Sequence, residues 1–552
     1  MSRTTLRVAS LAAVVTLASA CEQKPSPPGV VVTVSPEVAA VDPGKTQPFV
    51  ATVSGIANQA VIWSVTEAGG GTVTAAGIYT APAASGTYHV VARSQVDRTS
   101  QATATVYVGG SGTCLLNTPQ PSALPAAQVL SLGTHAVGET VTFAVPAGTG
   151  SVTILQQGVE QLAARSVTMG GVRVDNTVVP LTVSVDGVAY YDDRIIPPDD
   201  PADLAAWNAP PGSAIGAIYA GIPSPWTGAM TFPNTTMALD SMNTSGGAPS
   251  GTWSVVVSDY AAECKAQGPP GCVVGDGTTA YPDGRYDVSV LVKPGPVAST
   301  GTMDVNLHLV TNHYTAASAA ADPSMARMRE TLATYLARAG IALGAVNFVD
   351  LPATVKARYV NGVSVDDLTP CGEVATVLRL AVPGNAMSLF LVNSLTTSLG
   401  GYTVVGQDGA IPGPASVGGT VASGALVSIA NLTFTSSATS CQGAIDLKAC
   451  GADSTAYIGA HETGHYLGLY HVTESSGTLF DPVKDTPLCQ VSVCAPGQMD
   501  VVNAECTKQL VDPASTCGGG DNLMFWLVDQ VLSTGTISAQ QSSIVRASLA
   551  VR

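Results

Sequence analysis

From Val30 to Val108, apolar and polar residues alternate in short runs separated by Gly, Pro and Asn. A period of two puts one face of each run against a core and the other against water, as in half-buried strands. Val61-Ile62-Trp63-Ser64-Val65, Gly77-Ile78-Tyr79-Thr80-Ala81-Pro82 and Tyr88-His89-Val90-Val91-Ala92 are the clearest runs. Trp63 reads as a core residue and His89 as a structural one. After a Gly/Ser linker, Gly109 to Thr113, the alternation resumes from Cys114 to about Lys293. It is carried by Thr140 to Val145, Leu181 to Val185, Trp253 to Val257 and Tyr286 to Leu291. Both stretches predict all-β sandwiches. Asp192, Asp193, Asp199 and Asp200 could offer hard oxygens to calcium, but a solvated acidic loop is the simpler reading. Pro294 to Gly301 reads as a second linker.

From Thr302 the pattern changes. Met303 to Val310 reads as a strand. Asp322-Pro323 opens a helix, with Asp as N-cap and Pro in the first turn. Met325, Met328, Leu332, Tyr335 and Leu336 follow at helical spacing, which makes the methionines core. Ser388 to Asn393 and Ala425 to Phe434 read as further strands, and His308 and His313 as ordinary residues. The fold class expected is multidomain, with all-β sandwiches followed by an α+β domain.

The candidate chemistry lies in that last part. His461-Glu462-Thr463-Gly464-His465-Tyr466-Leu467-Gly468-Leu469-Tyr470-His471 reads H-E-x-x-H-x-x-G-x-x-H, and it holds three of the seven histidines of the chain. His461 and His465 are four residues apart, so on a helix both imidazoles leave the same face. Gly468 can take the positive φ that ends a helix and turns the chain. That turn returns His471 as a third nitrogen ligand and leaves a fourth position open, which marks a catalytic zinc site. Zinc lowers the pKa of water from ~15.7 towards ~7 and polarises a carbonyl. Glu462, beside the first ligand, is the general base for that water. Glu474 or Glu505 as third ligand is a weaker alternative, because His471 has the better spacing.

Composition and charge narrow the setting. Only 11% of the 552 residues are charged, against the ~25% usual in soluble domains. A net charge of −16 excludes nucleic acid and anionic membrane surfaces as natural partners. Arg3 and Arg7, the apolar run Val8 to Leu17 and Ala18-Ser19-Ala20-Cys21 form an export signal. Cys21 at the cleavage point resembles the lipidated cysteine of a bacterial lipoprotein, although Ala18 stands where Leu is usual. An ordinary secretory cleavage site is the alternative. Glu22 to Gly29 then reads as a tether. There are eleven cysteines; setting Cys21 aside leaves an even number, suited to an oxidising compartment. Cys264 with Cys272 and Cys441 with Cys450 are close enough for local bridges. Cys489, Cys494, Cys506 and Cys517 cluster without a readable connectivity.

The eleven-residue motif is the zinc signature of the metzincin metalloproteases. Asp521-Asn522-Leu523-Met524-Phe525-Trp526 resembles the Met-turn of that family, with Met524 as the soft floor beneath the metal. Asp481-Pro482-Val483-Lys484-Asp485-Thr486-Pro487 resembles the G-D-x-V-x-D-T-P segment of the pappalysin branch. The run His465 to His471 and the closing Ile537 to Arg546 are similar to that branch as well. Ser538 and Gln541 fit a capping box in its final helix. The resemblance covers roughly the last 250 residues and is strongest from Ile458 onward. It implies a secreted zinc endopeptidase acting on proteins or peptides, with a substrate-holding edge strand that we expect in the 420s. It also implies calcium at Asp481, Asp485 and Thr486, for which a turn stabilised by Asp and Pro is the alternative. Trp526 stands where the family has an oxyanion-stabilising Tyr; an indole N–H can donate a hydrogen bond but cannot ligate zinc.

The stretch 30–109 resembles a bacterial Ig-like domain, and Gly251 to Val255 resembles strands of the jelly-roll domains found beside secreted proteases. The expected organisation is a signal at 1–21, a tether at 22–29 and an Ig-like sandwich at 30–109. A jelly-roll-like sandwich at 114–293 and a metzincin domain at 302–552 follow. The expected protein is an exported zinc endopeptidase, held to the membrane only by a lipid, whose β modules space it from the cell surface or bind a surface or matrix partner. A surface adhesin with an inactive protease domain is the alternative from another class.

Overall fold

The computed structural model describes residues 30–108, 127–158, 166–192, 227–267, 272–274, 284–366, 372–397, 403–435, 441–473, 481–487, 519–528 and 534–552, with short breaks inside some of these ranges. Cys21, Asp193, Asp199, Asp200, Glu474, Glu505 and the cysteines at 489, 494, 506 and 517 lie outside the described residues. Among the described residues no helix is long and apolar enough to cross a membrane.

The chain is rich in sheet, with β-sandwiches preceding an α+β region. In the first module Val38–Val41, Gln101–Val108, Gly86–Ser94 and Val61–Val65 form one sheet. Thr46–Pro48, Ile78–Thr80 and Thr72–Val73 form another. Buried Tyr79, Phe49, Val90 and Val106 fill the core, with half-buried Trp63 packed against it. His89 is held locally: its backbone N–H and its Nδ1 both donate to the Glu67 carboxylate, at 2.7 and 2.5 Å.

The second module is two four-stranded antiparallel sheets face to face. One is ordered Gln128–Ala136, Arg285–Pro294, Thr149–Gly158, Thr227–Phe232. The other is Thr140–Val145, Gly251–Val256, Thr182–Val185, Val188–Asp192. Trp253, fully buried, meets Phe143, Tyr190 and Phe232 between them. The alternation of Thr140–Val145 is literal: exposed and buried residues follow one another along the whole strand.

The α+β region is built on a five-stranded sheet ordered Ile341–Asp350, Gly301–Leu309, Met387–Val392, Ala425–Ser428, Gly406–Asp408. The first four run parallel, and the last is antiparallel to its neighbour. Met387–Val392 and Ala425–Ser428 are buried along their full length, as expected of parallel strands covered on both faces. Strand Ala425–Ser428 is therefore interior, and Gly406–Asp408 is the edge beside the site, which corrects the placement of the edge in the 420s. The apolar run to Phe434 continues as a short helix, Ala430–Thr435. Asp322 caps helix Pro323–Arg338, accepting from the N–H groups of Ser324 and Met325. Its buried face, Met325, Met328, Leu332, Tyr335 and Leu336, packs on helix Gly451–Tyr466, with Tyr335 edge-on to Tyr457 at 5.3 Å. His308 is buried, stacked on Phe390 and bonded to Ser388.

The two sandwiches differ in how they meet this region. The first touches it through Arg358, which donates to Gln47 at 2.7 Å. The second shares cores with it: Leu155, Leu239 and Leu291 join the cluster around Met303 and Tyr457, while Tyr359, Val374 and Phe390 join the cluster around Trp253. The run Pro294 to Gly301 is no free linker, since Gly295 N–H bonds Gly148 and Gly301 N–H bonds Gly340. Lys293, at the end of a sandwich strand, donates to the carbonyls of Arg546, Ser548 and Val551 at 2.6 to 2.9 Å. These carbonyls follow or end the C-terminal helix Ala539–Ala547, where they lack intrahelical donors. Burial pushes the Lys293 ammonium down to about 8. Lys293→Met leaves three carbonyls without that donor and is expected to lower stability by on the order of 3 kcal/mol. Thermal unfolding followed by circular dichroism measures it, and an unchanged Tm would show that the carbonyls find other donors.

Candidate metal centre

Helix Gly451–Tyr466 is buried at every residue. Its start is held in place from two sides. Cys450, the N-cap, is disulfide-bonded to Cys441, and Cys264 in the second sandwich is disulfide-bonded as well. Asp453, in the first turn, takes both forks of Arg327 at 2.7 and 2.8 Å, the Thr331 hydroxyl at 2.5 Å and the Asp446 N–H at 2.9 Å. Burial works to raise the Asp453 carboxyl, but these donors outweigh it and hold it below the usual range.

At the far end Gly468 has φ +109. Its N–H bonds His465 O, and Leu469 N–H bonds Gly464 O, both at 2.9 Å. That pair of bonds is the Schellman arrangement, with Gly468 at the left-handed position. The turn delivers what the spacing predicts. The Nε2 atoms of His461, His465 and His471 lie 3.1 to 3.2 Å from one another.

That triangle fits a metal ion. A tetrahedral ion with bonds of ~2.05 Å needs nitrogens ~3.3 Å apart. His461 Nδ1 donates to Leu523 O and His465 Nδ1 to Leu469 O, each at 2.7 Å. With the proton on Nδ1, each Nε2 carries a bare lone pair, and those lone pairs face one another in a buried space. A cation at the centre would turn that repulsion into attraction. Burial first, and then the neighbouring imidazoles, push His461 down to about 3 and His465 well below its ordinary value. Both rings are therefore neutral, as ligands must be.

Glu462 is buried on the same helix. Burial first, and then the Asp408 carboxylate, push it well above the usual carboxylate range. Asp408 sits on the edge strand, and Asp408, Glu462 and His465 form the second of two groups of three potential ligands found among the described residues. The two groups share His465, whose Nε2 has a single lone pair, so they cannot hold two ions at once. Gly406 on the same strand lies so close that a Cβ there would stand 2.1 Å from Glu462 Oε1.

Met524 is fully buried and lies against the helix at Gly464, where a Cβ would stand 2.4 Å from its sulfur. Its backbone is fixed by Asn522, which accepts from Met524 N–H at 2.8 Å, and by Val472, whose N–H donates to Met524 O at 3.0 Å. Two residues on, the Trp526 indole nitrogen is buried, with no hydrogen-bond partner among the described residues. Asp481 and Thr486 come together, hydroxyl to carboxylate at 2.6 Å. Exposed Asp485 instead accepts from Ser538 Oγ and Gln540 N–H at the start of the last helix. The capping box of Ser538 and Gln541 is formed. Neither Gly406 nor Asp408 is marked by any local pattern, because a three-residue strand in a Gly-rich stretch has too few positions to display a period.

Two outcomes test this geometry. Gly406→Ala is expected to displace the Glu462 carboxylate and lower any hydrolytic kcat by about 10² or more with metal content unchanged; metal analysis beside steady-state kinetics measures both. Burial raises Asp481 well above its ordinary 3.8, with the Thr486 and Gln541 hydrogen bonds opposing and Asp485 assisting. The folded state thus holds a proton that the unfolded chain has lost, so stability falls as the pH rises from about 4 upward. Asp481→Asn is expected to flatten that part of the Tm-against-pH curve, and a curve of unchanged slope would show that Asp481 is not its source.

Compared with known proteins, the chain matches no family model and no curated protein. Among solved structures, it is similar in part to the M60 catalytic domain with the CBM51-1 and CBM51-2 domains from Clostridium perfringens ZmpB. The identity is 12%, over 51% of this chain and 24% of that one, with a TM-score of 0.13. It is also similar in part to the Yersinia pseudotuberculosis adhesin InvE, at 13% identity over 50% of this chain and 65% of that one, with a TM-score of 0.12. The chain spans less than two thirds of either, and likeness at these scores carries no conclusion about fold or function.

Proposed function

We propose that the chain is an exported zinc-dependent endopeptidase of metzincin type, similar to the pappalysin branch. Its proposed ligands are His461, His465 and His471, with Glu462 as general base and Met524 as the floor of the site. The single observation that carries this reading is the triangle of Nε2 atoms at 3.1 to 3.2 Å, with two of the rings locked by backbone carbonyls. Zinc bound there would supply a Lewis acid that acidifies water and polarises a peptide carbonyl.

The chain's own residues do the rest. Glu462 takes a proton from water and passes it to the departing amine. Its burial favours the protonated form, and a nearby cation acts in the opposite sense, so the two together set its proton affinity between those of water and amine. The edge strand Gly406–Asp408 is last in its sheet among the described residues. An extended peptide can add to it by backbone hydrogen bonds, which presents the scissile bond to Glu462. Calcium at the Asp481 segment is left out of the proposal, because Asp481, Asp485 and Thr486 are already engaged in hydrogen bonds. Export is supported by the signal-like N-terminus and the Cys441–Cys450 bridge, and the lipid anchor at Cys21 is part of the proposal.

Glu462→Ala is expected to retain zinc and lose peptide hydrolysis by about 10² to 10⁴, and a chelator should abolish hydrolysis by the unaltered chain. Cleavage of a peptide library read by mass spectrometry, beside zinc analysis, tests both. Full hydrolysis by the variant would defeat the base role. No hydrolysis by a zinc-loaded chain would favour a binding protein instead.

A further inference from the structure

The second sandwich reaches the metal centre through one buried side chain. Thr236 begins the helix Thr236–Ser245 of that module and is 0% exposed. Its backbone N–H donates to Pro482 O at 3.1 Å. Its hydroxyl accepts from Lys484 N–H at 3.0 Å and donates to Gln540 Oε1 at 2.7 Å. Gln540 Oε1 also accepts from Lys484 N–H, at 3.1 Å. Thr236 thereby clasps the segment Asp481 to Thr486 to the start of the C-terminal helix. At the other end of that helix the same sandwich bonds again, through Lys293 and through Ser151 Oγ, which donates to Ala547 O at 2.6 Å.

From the clasp a continuous set of bonds runs under the site. Gln541, next to Gln540, donates to Asp481 Oδ2 at 3.3 Å, and its Oε1 accepts from Asn522 Nδ2 at 3.0 Å. Asn522 Oδ1 accepts from Met524 N–H. Leu523 O, in the same turn, holds His461 Nδ1, and Met524 O holds Val472 N–H beside His471. Each link is a hydrogen bond or a peptide unit, so a shift at Thr236 has a path to two of the three imidazoles.

We propose that Thr236 is a positioning residue for the metal centre, acting through Gln540, Gln541 and Asn522, so that the second sandwich is a working part of the metal site and no mere spacer. This rests on the metalloprotease reading above. Partners of this outer kind fix ring orientation, and their loss typically weakens metal binding by about 10 to 100-fold. Val replaces Thr at nearly constant shape but removes the donor and the acceptor together.

The test uses the full chain carrying zinc or cobalt(II). Thr236→Val is expected to release zinc to a chelator about ten-fold faster than the unaltered chain, to shift the visible cobalt bands, and to lower kcat more than it changes KM. Thr236→Ser, which keeps the hydroxyl, should restore all three. A merely structural role would lower Tm and leave the cobalt spectrum in place. If Thr236→Val does not fold, Gln540→Ala, which removes the shared acceptor at a half-buried position, is expected to show the same release and spectral change. Wild-type release and spectrum in a folded Thr236→Val or Gln540→Ala chain would overturn the proposal while leaving the metal site intact. An unaltered chain that binds no stoichiometric zinc, or binds it as well after His461→Ala, would overturn the metalloprotease reading and this inference with it.

Discussion

Two backbone carbonyls, Leu523 O and Leu469 O, determine what the buried imidazoles can do. By accepting the Nδ1 protons of His461 and His465 they set the tautomer and leave the Nε2 lone pairs facing inward and convergent. Burial keeps the rings neutral; without these acceptors the rings could rotate or move the proton to Nε2, and the close approach of three nitrogens would be a liability. One carbonyl belongs to the turn that follows the helix, and the other to the turn that carries Met524. The geometry of the site is thus set by where two turns are held.

The chain holds them with buried polar groups as well as with core packing. The Schellman turn at Gly468 is local and fixed by its own backbone bonds. The Met524 turn is far away in sequence and depends on Asn522, Gln541 and Asp481. Removing one member of such a connected set leaves its neighbours unsatisfied, which makes the set stiff. Asp453 with Arg327 and Thr331 serves the same end at the start of the helix that carries His461 and His465. This chain has few charges for its length, and several of them are spent inside.

The second sandwich belongs to the same argument. Its side chains enter both large hydrophobic clusters of the α+β region, and its polar residues bond both ends of the last helix. Shared cores of this kind oppose relative motion, unlike the polar contacts expected between modules joined by a flexible linker. The first sandwich, with its own core and the Arg358–Gln47 contact, is closer to a separate module.

What the sequence determined by itself was local. The spacing of His461 and His465, the glycine at 468, the Asp322-Pro323 helix start and the Ser538–Gln541 box each depend on a few neighbouring residues and on fixed helical geometry, so they could be read directly. The strand alternation gave the sandwiches for the same reason. What only the tertiary structure decided involves partners far apart in the chain. Gly406 and Asp408 matter because a three-residue strand happens to lie over Glu462, and Ala425–Ser428 proves interior only once its neighbours are known. Thr236 meets Gln540 across 304 positions, and no local pattern marks a buried threonine as the clasp of a distant turn. Periodicity reports which face of an element is buried, but what it is buried against is settled by packing.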